Sequence, residues 1–123
     1  MTEYPEVKDR LQEGELYAGL ILGRQGEPDH HLILLPGRAA DVSWPAAQDW
    51  AAARGGILPT RRELALLFAN LREEFDRAWY WSSEQHETRA QLVWGQNFAS
   101  GIQTVYGRPF RGNARAVRRV PIG

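Results

Sequence analysis

The stretch WYWSSEQHETRAQLVWGQNF, Trp79 to Phe98, holds three of the chain's five tryptophans. An indole buries a large area and needs one acceptor for its N–H, so a cluster of three demands a core, a ligand platform or a nucleic-acid surface. Alternation with period two places Trp79 and Trp81 on one face of a short strand. It likewise places Trp94, Gln96 and Phe98 on one face of the next, with Gly95, Asn97 and Ala99 on the other. Gln85, Gln96 and Gln103 are at hand as partners for the indoles. Large aromatics of this kind are mostly buried. The band is therefore expected to be the inside of a small sheet, with Trp79, Trp81 and Trp94 facing inward and the surface on the opposite parity.

The rest of the chain supplies enough material to enclose such a band. Its 123 residues, 43% of them hydrophobic, suffice for a single core without covalent staples. There is no cysteine, which removes disulfides, thiol nucleophiles and zinc–cysteine sites together. A mean hydropathy of −0.48 and the lack of a long apolar run exclude a helical membrane span. The opening MTEYPEVKDRLQEGE has neither a basic segment nor an apolar one, so no secretory signal is visible. Net charge is zero, which argues against general nucleic-acid binding. Five arginines and no acids follow Gly101, so a local basic segment remains.

Residues 1–13 are polar and are expected to form a flexible arm, with 14–123 as a single domain. The segments ELYAGLILG (15–23) and HHLILLPG (30–37) read as strands of a hairpin joined by GRQGEPD. Ser43 can cap a helix with Pro45 in its first turn, and Gly55-Gly56 can end it. In PTRRE, Thr60 and Glu63 form a capping box for a helix over about 60–72, with Leu64, Leu67, Phe68 and Leu71 as its apolar stripe. Four short strands follow: 79–83, 92–98, 102–107 and 114–120, with turns at Glu87-Thr88, at 99–101 and at Arg111-Gly112-Asn113. Strands, then helices, then strands make an α+β chain with largely antiparallel pairing.

The segments LPTRRELALLFANL, WYWSSEQ, VWGQNFASGIQ and ARAVRRV, in that order, resemble a bacterial and prophage family of C-type-lectin-like domains of unknown function. The same family closes certain collagen-like adhesins, and GELYAGLIL with HHLILLPG resembles its short phage members. The resemblance covers about residues 14–120. It implies a C-type-lectin-like fold, with two helices flanking small twisted antiparallel sheets and the termini brought together. Related folds include the variable receptor-binding proteins of diversity-generating retroelements and the formylglycine-generating enzymes. The latter rely on cysteines, so their activity is not carried over to this chain. In the diversified proteins, partner contacts come from the hairpin equivalent to Asn97–Asn113.

On that hairpin the outward parity reads Asn97, Ser100, Ile102, Thr104, Tyr106 and Arg108, with Arg111 and Asn113 in the next turn. The expected partner-binding set is Asn97, Ser100, Thr104, Tyr106, Arg108, Arg111 and Asn113, since an amphipathic ring among short polar groups suits adaptable recognition. Other candidates are weaker. The string Glu27-Pro28-Asp29 departs in place and residue from the calcium-binding triplets of sugar-binding lectins and reads as a turn. His30 and His31 are adjacent on a strand and point to opposite faces, so they cannot easily share a metal. Glu84 and His86 share a side but have no third orienting group. No metal and no cofactor are expected. Arg115 and Arg119 on one face of the last strand, and Arg118 on the other, are expected to pair with Glu63, Glu73, Glu74 and Asp76.

The expectation is a non-enzymatic, calcium-independent binding module, phage- or prophage-encoded, located in the bacterial cytoplasm or a virion. Its partner would be a protein or a glycan, with neither membrane nor nucleic acid involved, and association into homo-oligomers is compatible with the resemblance. The alternative is a phage-encoded inhibitor or modulator of a host intracellular protein.

Overall fold

Local signals in the sequence open the helices over 44–53 and 61–71 of the computed structural model, which describes Val7 and residues 9–122. The Ser43 hydroxyl accepts from the Ala46 N–H at the start of α1, Trp44–Ala53. Gly55 takes a left-handed φ of 76° where that helix stops. Helix α2, Arg61–Leu71, begins with the full capping box: Thr60 Oγ1 accepts from the Glu63 N–H, and the Glu63 carboxylate accepts from the Thr60 N–H at 2.8 Å. A 3-10 turn, Arg72–Glu74, follows it.

The strands are β1 (Leu16–Ile21), β2 (His30–Leu34), β3 (Ala39–Val42), β4 (Trp79–Gln85), β5 (Leu92–Asn97), β6 (Gln103–Gly107), β7 (Gly112–Ala114) and β8 (Val117–Pro121). They form a three-stranded sheet, β1-β2-β8, and a five-stranded one, β3-β7-β4-β5-β6. Every pairing is antiparallel except β4 with β7. The architecture is α+β. The first hairpin is closed by the last strand, since Leu34 lies opposite Val117 and His30 opposite Pro121.

Three strand assignments differ from the sequence reading. Strand β3 was not expected, because AADV has little apolar pattern and its pairing with β7 is irregular between Ala39 and Val42. Gly112-Asn113, expected as a turn, is strand β7. A side chain at 112 would meet the Trp79 ring at 2.7 Å, so glycine is what lets β7 lie against the indoles. The run 114–120, expected as one strand, is split: Ala114 ends β7 in one sheet and Val117 starts β8 in the other.

Two apolar clusters fill the interior. Trp44, Ala47 and Ala51 of α1 meet Trp79, Trp81, Val93 and Ala114 in the first. Leu64 and Leu67 of α2 meet Leu32, Leu34, Tyr80, Phe98 and Val117 in the second. Strand β4 therefore lies between two cores, and Trp79, Tyr80, Trp81 and Ser82 are all buried. This corrects the expectation that one parity of the aromatic band is surface; a strand covered on both faces reads as a continuous run. The indole N–H of Trp81 donates to the Val42 carbonyl at 2.9 Å, and that of Trp44 to the Ser82 carbonyl at 3.0 Å. The flexible arm expected over 1–13 lies outside the described residues at 1–6 and 8. Val7 is buried in the first cluster, and Leu11 packs against it.

Candidate functional site

Strand β6 lies at the margin of the five-stranded sheet. Ile102, Thr104, Tyr106 and Arg108 are all exposed along it, following the alternation read from the sequence. They share a sheet face with Trp79: Thr104 Oγ1 accepts from the Trp79 indole N–H at 3.2 Å, and the Tyr106 and Trp79 rings meet edge-on at 4.9 Å. Trp79 and Trp81 on this face belong to the core that α1 closes, whereas Tyr106 is left in contact with solvent. What is exposed is thus the outer margin of a core face.

Phe110 completes the patch. Its ring stacks on Tyr106 with centroids 4.1 Å apart and planes within 11°, and it meets Trp79 edge-on at 5.6 Å. Both Tyr106 and Phe110 keep about 40% of their surface open. Arg108 lies over the Trp44 ring at 5.2 Å, and its carbonyl accepts the Trp44 N–H at the start of α1. The base of the patch is therefore anchored to a helix and a buried indole, while its outer rings are open.

The other expected site residues are placed differently. Arg111 donates to the Asp41 carbonyl, and the Asn113 side chain accepts the Asp41 N–H, so both hold the β3 irregularity at which Asp41 has a φ of 60°. Asn97 and Ser100 lie at the opposite end of β6, on the order of 20 Å from Arg108 by strand rise. Their side chains accept the Ala99 and Ile102 N–H groups and shape the β5–β6 turn. The structure lines Thr104, Tyr106 and Arg108 along one strand, commits Arg111 and Asn113 to Asp41, and puts Asn97 opposite Trp79 at the end of the strand far from Arg108, with Ser100 in the turn beyond. Phe110 was missed. Its signal was a lone aromatic in the turn RPFRGN, a place where burial is not the default.

Trp94 corrects the inward expectation. It is only half-buried and lies on the opposite sheet face, under the Arg61 guanidinium at 3.6 Å and stacked with His86 at 6.0 Å. Its N–H donates to Glu87 at 2.9 Å. That hydrogen bond is the main cause holding the Glu87 carboxyl below its ordinary value. Glu84, on the same side, accepts the Arg61 N–H at 2.7 Å and so works as a helix cap.

Beyond Arg61 opens a cleft of about 1030 Å³ between the β1–β2 turn, the first turn of α2 and the β5–β6 strands. At its wall Glu63 is fully buried, and its carboxylate takes Arg119 through two hydrogen bonds at 2.6 and 2.8 Å and His30 at 2.8 Å. Burial by itself would raise the Glu63 pKa, but Arg119, the Thr60 N–H and His30 together hold it below the ordinary value. Gln103 is likewise committed, to Arg61 and Gln96. The part of the cleft wall made by Glu63, Arg119, His30, Arg61 and Gln103 is satisfied from within.

The depressed Glu63 carboxyl sets an acid limit. A carboxyl with a lowered folded-state pKa adds stability that is complete above its unfolded value and is lost as pH falls through the folded one. Glu15, lowered first by its hydrogen bond to Arg118, acts in the same direction. Urea midpoints should be flat at neutral pH and fall as pH drops below the unfolded carboxyl value of 4.5. A Glu63→Gln chain should fall less steeply. Equal slopes in the two chains would contradict this assignment.

The remaining arginines and histidines divide as follows. Arg119 pairs with Glu63 as expected. Arg118 pairs with Glu15 rather than a helix end, and Asp76 pairs with Arg38. Among the described residues no carboxylate pairs with Arg115. It is buried, donates to the Glu74 and Leu35 carbonyls, lies over Phe75 at 5.2 Å, and has its pKa lowered by burial. His30 and His31 do point apart, to Glu63 and to the Tyr17 hydroxyl. Asp29 accepts the Gly23 N–H at 2.8 Å within the β1–β2 turn. Among the described residues no group of three or more His, Cys, Asp or Glu could hold a metal ion, and no described helix is long and apolar enough to cross a membrane. Family models and curated proteins return no match to the sequence.

Proposed function

We propose that this chain is a binding module on a C-type-lectin-like scaffold, and that it takes a protein partner on the face formed by Thr104, Tyr106, Arg108 and Phe110. The observation that carries the reading is the open Tyr106–Phe110 stack, seated on Trp79 and flanked by Arg108. Aromatic and arginine side chains on a rigid base are the composition that dominates protein–protein affinity, because the rings bury much area for few rotors and the guanidinium adds several donors. The cleft across the sheet is less suited, since the charges and amides at its inner wall, Glu63, Arg119, His30, Arg61 and Gln103, already satisfy one another. The pairing of β2 with β8, which brings the ends of the domain together, supports the lectin-like scaffold. The resemblance extends the reading to a phage or prophage protein that works without catalysis, metal or cofactor.

Tyr106→Ala and Arg108→Ala should each leave the circular dichroism and melting of the chain nearly unchanged. Each should weaken capture of protein from a bacterial lysate about tenfold or more, the scale of a loss at a central contact. Capture unchanged by both substitutions would remove this face from consideration. Retention on a glycan array together with no protein capture would replace the protein partner by a sugar.

A further inference from the structure

Four strands bound the two sheets: β1, β8, β3 and β6. An open edge offers unpaired N–H and C=O groups to another chain, and folded proteins usually blunt it with bulges, prolines, charges or cover. Three of these edges are blunted. Strand β1 is bulged between Tyr17 and Gly19, and Asn70 takes the Ala18 carbonyl at 2.6 Å. Strand β8 exchanges both backbone bonds of Val117 with Ile57 and ends at Pro121. Strand β3 is irregular and holds Asp41 in the left-handed region.

Among the described residues strand β6 has none of these features. Its sequence QTVYG contains no charge and no proline, and its register with β5 runs unbroken from Gln103 to Gly107. Asn97 donates to the Ile102 carbonyl and Arg108 to the Gln91 carbonyl. By alternation, residues 102, 104, 106 and 108 turn their backbone groups toward β5. Gln103, Val105 and Gly107 therefore turn theirs outward. Of these groups the Gly107 carbonyl is taken by the Phe110 N–H; nothing among the described residues takes the others. Three of the five exposed large hydrophobic residues, Ile102, Tyr106 and Phe110, sit in or beside this strand.

The geometry points to a second copy of this chain as the occupant: β6 pairs with β6 of another molecule, antiparallel, about a two-fold axis at Val105. The register is self-complementary. Val105 meets itself and exchanges two backbone bonds, and each Gly107 N–H reaches the Gln103 carbonyl opposite. Thr104 faces Tyr106, the favourable kind of cross-strand pair, and Arg108 faces Ile102, so no like charges are opposed. An acidic or neutral peptide of another protein could use the backbone groups but would not obtain this pairing for every side chain. The axis stands normal to the sheet, so the two Tyr106–Phe110 stacks lie side by side on one surface. The pairing uses the strand's edge and does not depend on what the face binds.

Sedimentation of the purified chain tests it. The wild type should show concentration-dependent dimers. Val105→Pro removes only an outward N–H, a substitution an edge strand accepts, and should raise the dimer dissociation constant about 30-fold or more through the two lost bonds. Its circular dichroism should be unchanged. A wild type that stays monomeric up to roughly millimolar concentration, or a folded Val105→Pro chain that dimerises as before, overturns the proposal. Should that variant fail to fold, Val105→Lys and Val105→Glu decide. Each alone should be monomeric, since like charges meet at the axis, and an equal mixture should form dimers. A mixture that stays monomeric, or either variant dimerising alone, overturns it.

Discussion

Replacing Glu63 by alanine is expected to destabilise the chain by about 3 kcal/mol, the lower end for breaking a buried ion pair because Arg119 keeps a third of its side chain exposed. Three losses coincide at this carboxylate. Helix α2 loses half of its capping box, Arg119 loses both hydrogen bonds, and His30 loses its acceptor. Part comes from what is left behind, a guanidinium two-thirds covered that has lost its carboxylate and an uncapped Thr60 N–H. Two further variants separate these contributions. Glu63→Gln keeps an acceptor for the Thr60 N–H and should recover about 1 kcal/mol, the scale of a helix cap. Glu63→Leu combined with Arg119→Met removes both charges and should be less damaged than Glu63→Ala alone. Urea denaturation measures all three, and a Glu63→Ala loss below about 1 kcal/mol would show that the pair adds little beyond a surface bridge.

Trp81→Ala is expected to cost about 3–5 kcal/mol, the range for truncating a fully buried large aromatic. The indole has no exposed surface and meets Trp79 edge-on at 4.6 Å. Its N–H is the bond that ties β4 to the Val42 carbonyl at the end of β3. Removal leaves a cavity between α1 and the sheet together with an unpaired carbonyl. Trp79 then loses its support, and with it the base under Tyr106 and Phe110, so partner capture should fall with stability. Trp81→Phe should retain most of the packing and lose chiefly the hydrogen bond, about 1 kcal/mol. Calorimetric melting of both chains provides the measurement. Should Trp81→Ala melt within a few degrees of the wild type, the first core cluster would not be the main source of stability.

Much of this could be read along the chain. The caps Ser43 and Thr60, the stripe Leu64–Leu67 and the first hairpin are local statements, each decided by residues within a turn or two of one another. The outward alternation of Ile102, Thr104, Tyr106 and Arg108 was legible for the same reason. Trp94 was not. Its strand parity was read correctly, but only the packing of α2 on that face, which sets Arg61 over the ring, decides that it ends half-covered at a cleft margin. Tyr80 was missed as core because burial on both faces of β4 requires two helices to arrive from opposite sides. Gly112 acquires its role from the indoles of Trp79 and Trp81, and Phe110 from those indoles together with Tyr106; the indoles lie about thirty positions earlier in sequence. Arg115 and Arg118 found partners that charge patterning does not rank: backbone carbonyls of Glu74 and Leu35 for Arg115, and for Arg118 the carboxylate of Glu15, which the closing of β8 on the first hairpin brings near.

Sequence alone determined where helices start and stop, which strands alternate, and that the chain is α+β, because caps and periodicity are short-range and their energies act within one element. Tertiary structure alone decided which faces are covered twice, that Glu63 closes on Arg119 and His30, and that β6 is left as the one unblunted edge among the described residues. Those outcomes depend on which surfaces meet, and a meeting between residues as far apart as Glu63 and His30, or Glu63 and Arg119, leaves no trace in local spacing.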